Sequence, residues 1–228
     1  MGPRRLTQRA IAVSKRKLKR LRSPKVFVIG RNKTGTASLR HVLSSLGYTI
    51  NDEIAGGLLI HEWAQRDFTN VLALCRTADA FADNPFGLPY TYQAVDAAFP
   101  RSKFILTVRK DGQEWYESLV RFHAKILGIG ERLPTVADLR EFDYCYKGWL
   151  LDKEKLVYGV DDEHLYDREH YIAHYEAHNA AVIEYFRHRE DALLVLRVSD
   201  ADAMTRLYEF LDVRADAVPA MPHLNASA

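Results

Sequence analysis

One lysine of this chain sits where it can work on a phosphate-like group. Lys33 lies in the run Val26-Phe-Val-Ile-Gly-Arg-Asn-Lys-Thr-Gly-Thr-Ala-Ser-Leu39, in which an apolar stretch gives way to a glycine-bearing loop and then to helical periodicity. A helix that opens straight out of such a loop presents unpaired N–H groups and the positive end of its dipole to an anion. Gly30 and Gly35 have the G-x4-G spacing of a phosphate loop, but Thr36 and Ala37 stand where a nucleotide-kinase loop has Lys and Ser/Thr. The Ser/Thr of that pair holds Mg²⁺ against the β- and γ-phosphates. Ala37 has no oxygen with which to do so. A loop with a lysine and no metal ligand suits a donor whose transferred group carries one negative charge, as a sulfonate does. Lys33 then supplies positive charge to the oxygen that leaves.

A second cation lies at the end of another apolar segment. Lys103-Phe-Ile-Leu-Thr-Val108 leads into Arg109. An arginine at the C-terminal end of a parallel strand enters the crevice where open α/β sheets bind ligands. Its planar fork grips two oxygens of a terminal phosphate at once. Ser118, on the helix that follows, can add a hydroxyl.

These motifs carry a resemblance. Asn32-Lys-Thr-Gly-Thr-Ala-Ser-Leu39 resembles the 5′-phosphosulfate loop of the sulfotransferase superfamily, and Arg109 with Ser118 resembles its 3′-phosphate site. The Arg-to-Ser spacing is nine where eight is expected, with the extra residue in the turn Lys110–Gln113. The helix Tyr175-Glu-Ala-His-Asn-Ala-Ala-Val-Ile-Glu-Tyr-Phe186 and the end Met221-Pro-His-Leu-Asn225 resemble one branch of the family, so the similarity runs over residues 25–225. The end segment is expected to fold back over the donor site, and His178 to be structural.

The resemblance implies 3′-phosphoadenosine-5′-phosphosulfate as donor co-substrate, with no metal. It implies a donor loop of Lys33, Thr34, Gly35, Thr36, Ala37 (through its backbone) and Ser38, with Lys33 at the leaving group and Arg109 and Ser118 at the 3′-phosphate. Many members have proline where Asn32 stands, which alters loop stiffness more than chemistry. In this family the base that takes the acceptor's proton stands at the end of a middle strand, as a histidine or a carboxylate. The matching segment is Phe81-Ala-Asp-Asn-Pro-Phe86, which makes Asp83 the second catalytic candidate beside Lys33. A buried aspartate near a lysine is expected to stay ionised, although Asp-Asn-Pro also reads as the start of a turn. His41, His61 and His123 are its rivals. Trp115 reads as core or adenine-side packing. The alternative functions are a small-molecule kinase and a non-catalytic nucleotide-binding module.

The elements that must position these residues are legible as a pattern. Apolar strands are expected at 25–29, 77–83, 103–108 and 193–198. Helices are expected at 36–46, 54–65, 90–98, 112–127, 135–148, 167–188 and 201–211, with an acidic loop at 158–166 and a tail from 214. Strands that alternate with helices predict an α/β, three-layer P-loop-like fold with a central parallel sheet flanked by helices.

The organisation is a basic arm, 1–24, and a single domain, 25–228. Ten of the 32 Lys and Arg fall within residues 1–25, and the first acid is Asp52; the other 22 face 30 acids, so residues 26–228 carry about −8. The arm reads first as a solvated basic tail and second as a contact with an anionic membrane surface. Nucleic acid is not expected as a partner, because the body behind the arm is acidic and carries no reading motif. Two cysteines, no signal-peptide core and no spanning run point to a cytoplasmic protein, peripheral at the inner membrane surface if the arm touches it. The acceptor, a hydroxyl or an amine, is left open among carbohydrate, lipid and small alcohol, and the oligomeric state is not legible. The stretch 128–166 holds Tyr144, Tyr146, Trp149, Tyr158 and Tyr166, which can stack on a sugar or a lipid headgroup or pack the lid.

Overall fold

The computed structural model describes residues 24–222. The basic arm up to residue 23 and the end of the Pro-His-x-Asn segment, 223–228, lie outside the described residues, and with them the expected fold-back of that segment.

Four parallel strands form one sheet in the order β2-β1-β3-β4: β1 Val26–Val28, β2 Ala80–Phe81, β3 Lys103–Thr107 and β4 Leu193–Leu196. Phe27 pairs with Phe81 on one side and Phe104 on the other, and Ile105 pairs with Leu194. The strands are short and apolar because both sheet faces are covered. Val26, Val28, Ile105 and Leu196 pack toward α1 (Thr36–Ser45) and α10 (Ala203–Phe210). Phe27, Ile29, Phe104 and Leu106 pack the other way, against α4 (Thr69–Leu74), α5 (Thr91–Ala98) and α9 (Arg168–Phe186). The predicted three-layer α/β arrangement is what the chain adopts. Both cysteines are free thiols, Cys75 buried and Cys145 partly so. No helix among the described residues is long and apolar enough to cross a membrane.

The chain moves from β1 outward to β2, then returns past β1 to β3 and β4. The order therefore reverses between β1 and β3, and such a switch point opens a crevice beyond the carboxyl ends of the strands. A third apolar cluster closes this end of the molecule. It is built on α3 (Ile60–Ala64), α6 (Gly112–Leu127), α7 (Val136–Glu141), α8 (Trp149–Tyr158) and the start of α9, with Trp63, Trp115, Trp149 and Tyr171 at its centre.

Two expected helices differ in the structure. The helix foreseen at 54–65 is two short ones, α2 (Glu53–Gly57) and α3. Gly56 and Gly57 lie so close to the Asn84 carbonyl and to Cys145 that an added Cβ would sit 2.3 and 2.4 Å away. The break thus lets the chain pass under two neighbours. The helix foreseen at 135–148 stops at Glu141, where Phe142 turns extended; an Asp143–Lys147 bridge follows, and Gly148, at φ 87°, starts α8. Helices α4 and α8 were not foreseen at all.

Candidate active site

Gly30 to Gly35 forms the loop between β1 and α1. Its course is fixed by contacts that exclude side chains. A Cβ on Gly30 would lie 2.0 Å from the Thr107 hydroxyl on β3, and Gly35 has φ 103° with Val198 against it. Lys33 also takes a left-handed conformation, at φ 73°. Thr34 is fully buried: its hydroxyl donates to the Arg31 carbonyl at 2.6 Å and lies 2.5 Å from the Thr107 hydroxyl. It braces the loop from within, so any contact it makes with a ligand runs through its backbone. Trp115 closes the other flank, donating from Nε1 to the Asn32 carbonyl at 3.0 Å and stacking on Tyr175 at 4.6 Å. It is wholly buried, the core side of its two expected roles. His178 holds the strand behind the loop, Nε2–H donating to the Ile29 carbonyl at 2.9 Å.

Helix α1 then begins at Gly35 with no side-chain cap and no acid in its first turn. An anion at Thr36 and Ala37 meets the start of a helix that no side chain caps. Ser38 is buried in the same turn.

Arg109 emerges from β3 facing this loop. Its Nε donates to the Lys33 carbonyl at 2.7 Å, one terminal nitrogen to Glu114 at 3.1 Å and the other to Ser118 at 3.3 Å. The nine-residue spacing therefore does bring arginine and serine together. The extra residue is taken up where Asp111 caps α6, accepting from the Glu114 N–H at 2.8 Å.

Lys33 reaches away from Arg109 over the ring of Phe122, 3.5 Å from its centroid. Burial, helped by the charge of Arg109 and opposed by Asp83, brings its pKa down to about 8. Asp83 stands just past β2 with φ 63° and little exposure. It accepts a hydrogen bond from the Thr36 hydroxyl at 2.7 Å and lies 3.7 Å from Arg40. Burial pushes its carboxyl above the ordinary carboxylate range, against the Thr36 hydrogen bond and the pull of Arg40 and Lys33. Asp83 was expected to stay ionised; burial raises its pKa above the ordinary carboxylate range, which makes its anion a stronger base.

One cavity of about 360 Å³ unites these groups. Lys33, Gly35, Thr36, Ala37, Asp83 and Arg109 all line it, and so does His123. His123 is buried, with Nδ1 2.7 Å from the Tyr166 hydroxyl, and burial brings its pKa down to about 4. The other two rivals lie elsewhere: His41 is exposed on α1, and His61 pairs with Tyr146 at the surface.

Arg40, Glu53, Glu114 and Phe122 also belong to this region and were not foreseen. Two of them had a signal. Arg40 is one helical turn past Thr36, and Phe122 one turn past Ser118, so each shares a helix face with a predicted site residue.

A family model described as a sulfotransferase domain matches residues 25–228. A search of curated proteins finds no match.

Proposed function

The chain belongs to the sulfotransferase domain family, and from that premise we propose that it moves a sulfonate from 3′-phosphoadenosine-5′-phosphosulfate to an acceptor hydroxyl. The observation that carries this reading is the pair of anion sites on either side of the sheet's switch point. One is the open start of α1 beside Lys33, with Ala37 where a metal ligand would stand. The other is Arg109 with Ser118 at 3.3 Å. A donor with a phosphosulfate at one end and a 3′-phosphate at the other matches both.

The residues divide the work as follows. The backbone of Gly35 to Ser38 and the end of α1 hold the 5′-phosphate, and Arg109 with Ser118 holds the 3′-phosphate. Bound there, the donor supplies a sulfur with a good leaving group. The bridging S–O bond breaks, and a new S–O bond forms to the acceptor oxygen. Asp83 takes the proton that the acceptor hydroxyl loses. Lys33 offsets the negative charge that develops on the bridging oxygen of the departing 3′,5′-bisphosphate. The proposal places this chemistry in a single domain, 25–228, in a cytoplasmic setting that suits two unbridged cysteines.

The test is calorimetric titration of metal-free protein with adenosine 3′,5′-bisphosphate, alongside ATP with Mg²⁺. The expected result is bisphosphate binding without metal that Arg109→Ala weakens. Binding of ATP with Mg²⁺ and none of the bisphosphate would overturn the reading in favour of a kinase.

A further inference from the structure

The half of the cavity that faces the donor loop has few polar groups to offer. Its wall is Phe122 and Ile126 from α6, Phe142 and Tyr144 from the segment after α7, and Trp149 and Leu150 from α8. Most polar atoms on this side are bonded within the protein; the Asn84 side-chain oxygen, buried with no partner, is the exception on the loop after β2. The Tyr144 hydroxyl donates to Glu53 at 2.6 Å, and Trp149 Nε1 donates to the Gly57 carbonyl at 2.8 Å. Lys153 is buried against Glu154 at 2.5 Å. Arg40 is shared among Asp83, Glu53 and Asn51. His123 differs. Tyr166 holds its Nδ1, which leaves Nε2 for a ligand.

A sugar ring carries hydroxyls around its whole edge. Each one buried without a partner costs about 1–3 kcal/mol, and the free partners here are few, chiefly the Asn84 side chain and His123. An apolar body has no such need. It gains from the aromatic and aliphatic wall by burial alone.

We propose that the acceptor is an alcohol or phenol bearing one hydroxyl on an apolar body, held against Phe122, Phe142 and Leu150 with its hydroxyl between Asp83 and His123. This rests on the sulfotransferase reading. Tyr144 on the cavity wall is 41% exposed, and Ile54 on α2 and Leu58 just after it, in the segment that Tyr144 bonds through Glu53, are exposed at 40% and 50%. The reaction balances as above: the acceptor hydroxyl loses its proton, its oxygen gains the sulfonate, and the bisphosphate departs.

The experiment uses the whole chain and reads two quantities. Calorimetry with the bisphosphate tests the donor site, and turnover with donor compares 2-naphthol and 1-octanol with glucose and glucosamine. The expected result is bisphosphate binding together with kcat/KM at least tenfold higher for an apolar probe than for either sugar. Phe142→Ser is expected to raise KM for the apolar probe at least fivefold while bisphosphate affinity stays unchanged; Phe142→Leu should restore it. Bisphosphate binding with sugars turned over as well as the apolar probes, or with no turnover of either apolar probe, overturns the acceptor proposal and leaves the donor reading standing. No bisphosphate binding overturns both. Naphthol without octanol, or the reverse, identifies an aryl or an alkyl body within the same class.

Discussion

The Thr36 hydroxyl, on the first residue of α1, donates a 2.7 Å hydrogen bond to the Asp83 carboxylate at the end of β2. The proposed phosphate loop and the proposed base are thus one bonded unit across two neighbouring strands. That bond favours the ionised carboxylate, against the burial that disfavours it.

Replacing Thr36 by Val removes the bond. The pKa of Asp83 then rises further, so the acidic limb of the kcat profile is expected to move to higher pH, because the carboxylate must be ionised to accept a proton. Asp83→Asn is expected to lower kcat by roughly 10²–10⁴-fold with bisphosphate affinity retained. A Thr36→Val profile that superimposes on the wild type would remove Asp83 from the proton transfer.

Lys33 sets the alkaline limb. With its pKa brought down to about 8, the side chain is charged below that pH and neutral above it. The rate of sulfonate transfer is expected to fall as pH rises through about 8. Lys33→Ala should cost on the order of 10²–10³ in kcat. In Lys33→Arg the charge persists at high pH, so any remaining activity is expected to lose its alkaline limb. Rate profiles from pH 6 to 10 check all three.

Glu114 pairs with Arg109 at 3.1 Å. A 3′-phosphate must displace or outcompete this half-exposed carboxylate. Glu114→Gln is expected to tighten bisphosphate binding by roughly two- to fivefold, the size of an exposed ion pair. Arg109→Ala is expected to weaken it roughly ten- to a hundredfold. Neither change should depend on Mg²⁺. Calorimetry of both variants with and without the ion distinguishes this from a metal-bridged phosphate.

Two buried histidines and a half-buried third make the fold sensitive to acid. Burial brings His123 down to about 4, and His174 and His178 to about 3. Unfolded, these rings take up protons near 6.5, so the unfolded state binds more protons as pH falls below that value. Stability is complete above pH 6.5 and drops below it, by about 1.4 kcal/mol per pH unit for each ring, until the folded values are reached. Asp83, whose pKa is raised, works in the opposite direction and offsets part of the loss. Urea unfolding at pH 7.5, 6 and 5 should show a net decline. A midpoint unchanged over that range would mean the rings are not held neutral.

The part of the cavity proposed to hold the donor is built from residues that the sequence singles out, and the part proposed to hold the acceptor is not. Lys33, Gly35 and Arg109 sit at the ends of continuous apolar strands, whose positions follow from hydrophobic runs and from the switch point of a parallel sheet. The distance between Arg109 and Ser118 could not be read from spacing alone, because the turn capped by Asp111 absorbs one residue. The segment 142–148, expected to be helical, and the unforeseen helix α8 escaped the sequence for a different reason. Their start, stop and bridge depend on contacts with α2 (the Trp149 bond to Gly57 among them), and a periodic pattern carries no record of a partner so distant in sequence. The raised pKa of Asp83 likewise comes from burial by residues of several elements.

The near-contact of Gly30 with Thr107 has a consequence for how such an enzyme can diversify. Any side chain at position 30 would wedge β1 away from β3, and with it part the two walls that carry Lys33 and Arg109. Drift at this point is penalised at once, whatever the acceptor. The wall from Phe142 to Leu150 has no comparable backbone-to-backbone constraint except at Gly148, whose φ is 87°. On the proposed reading, mutation can therefore vary that wall, and with it the acceptor, while the loop that would hold the donor stays fixed.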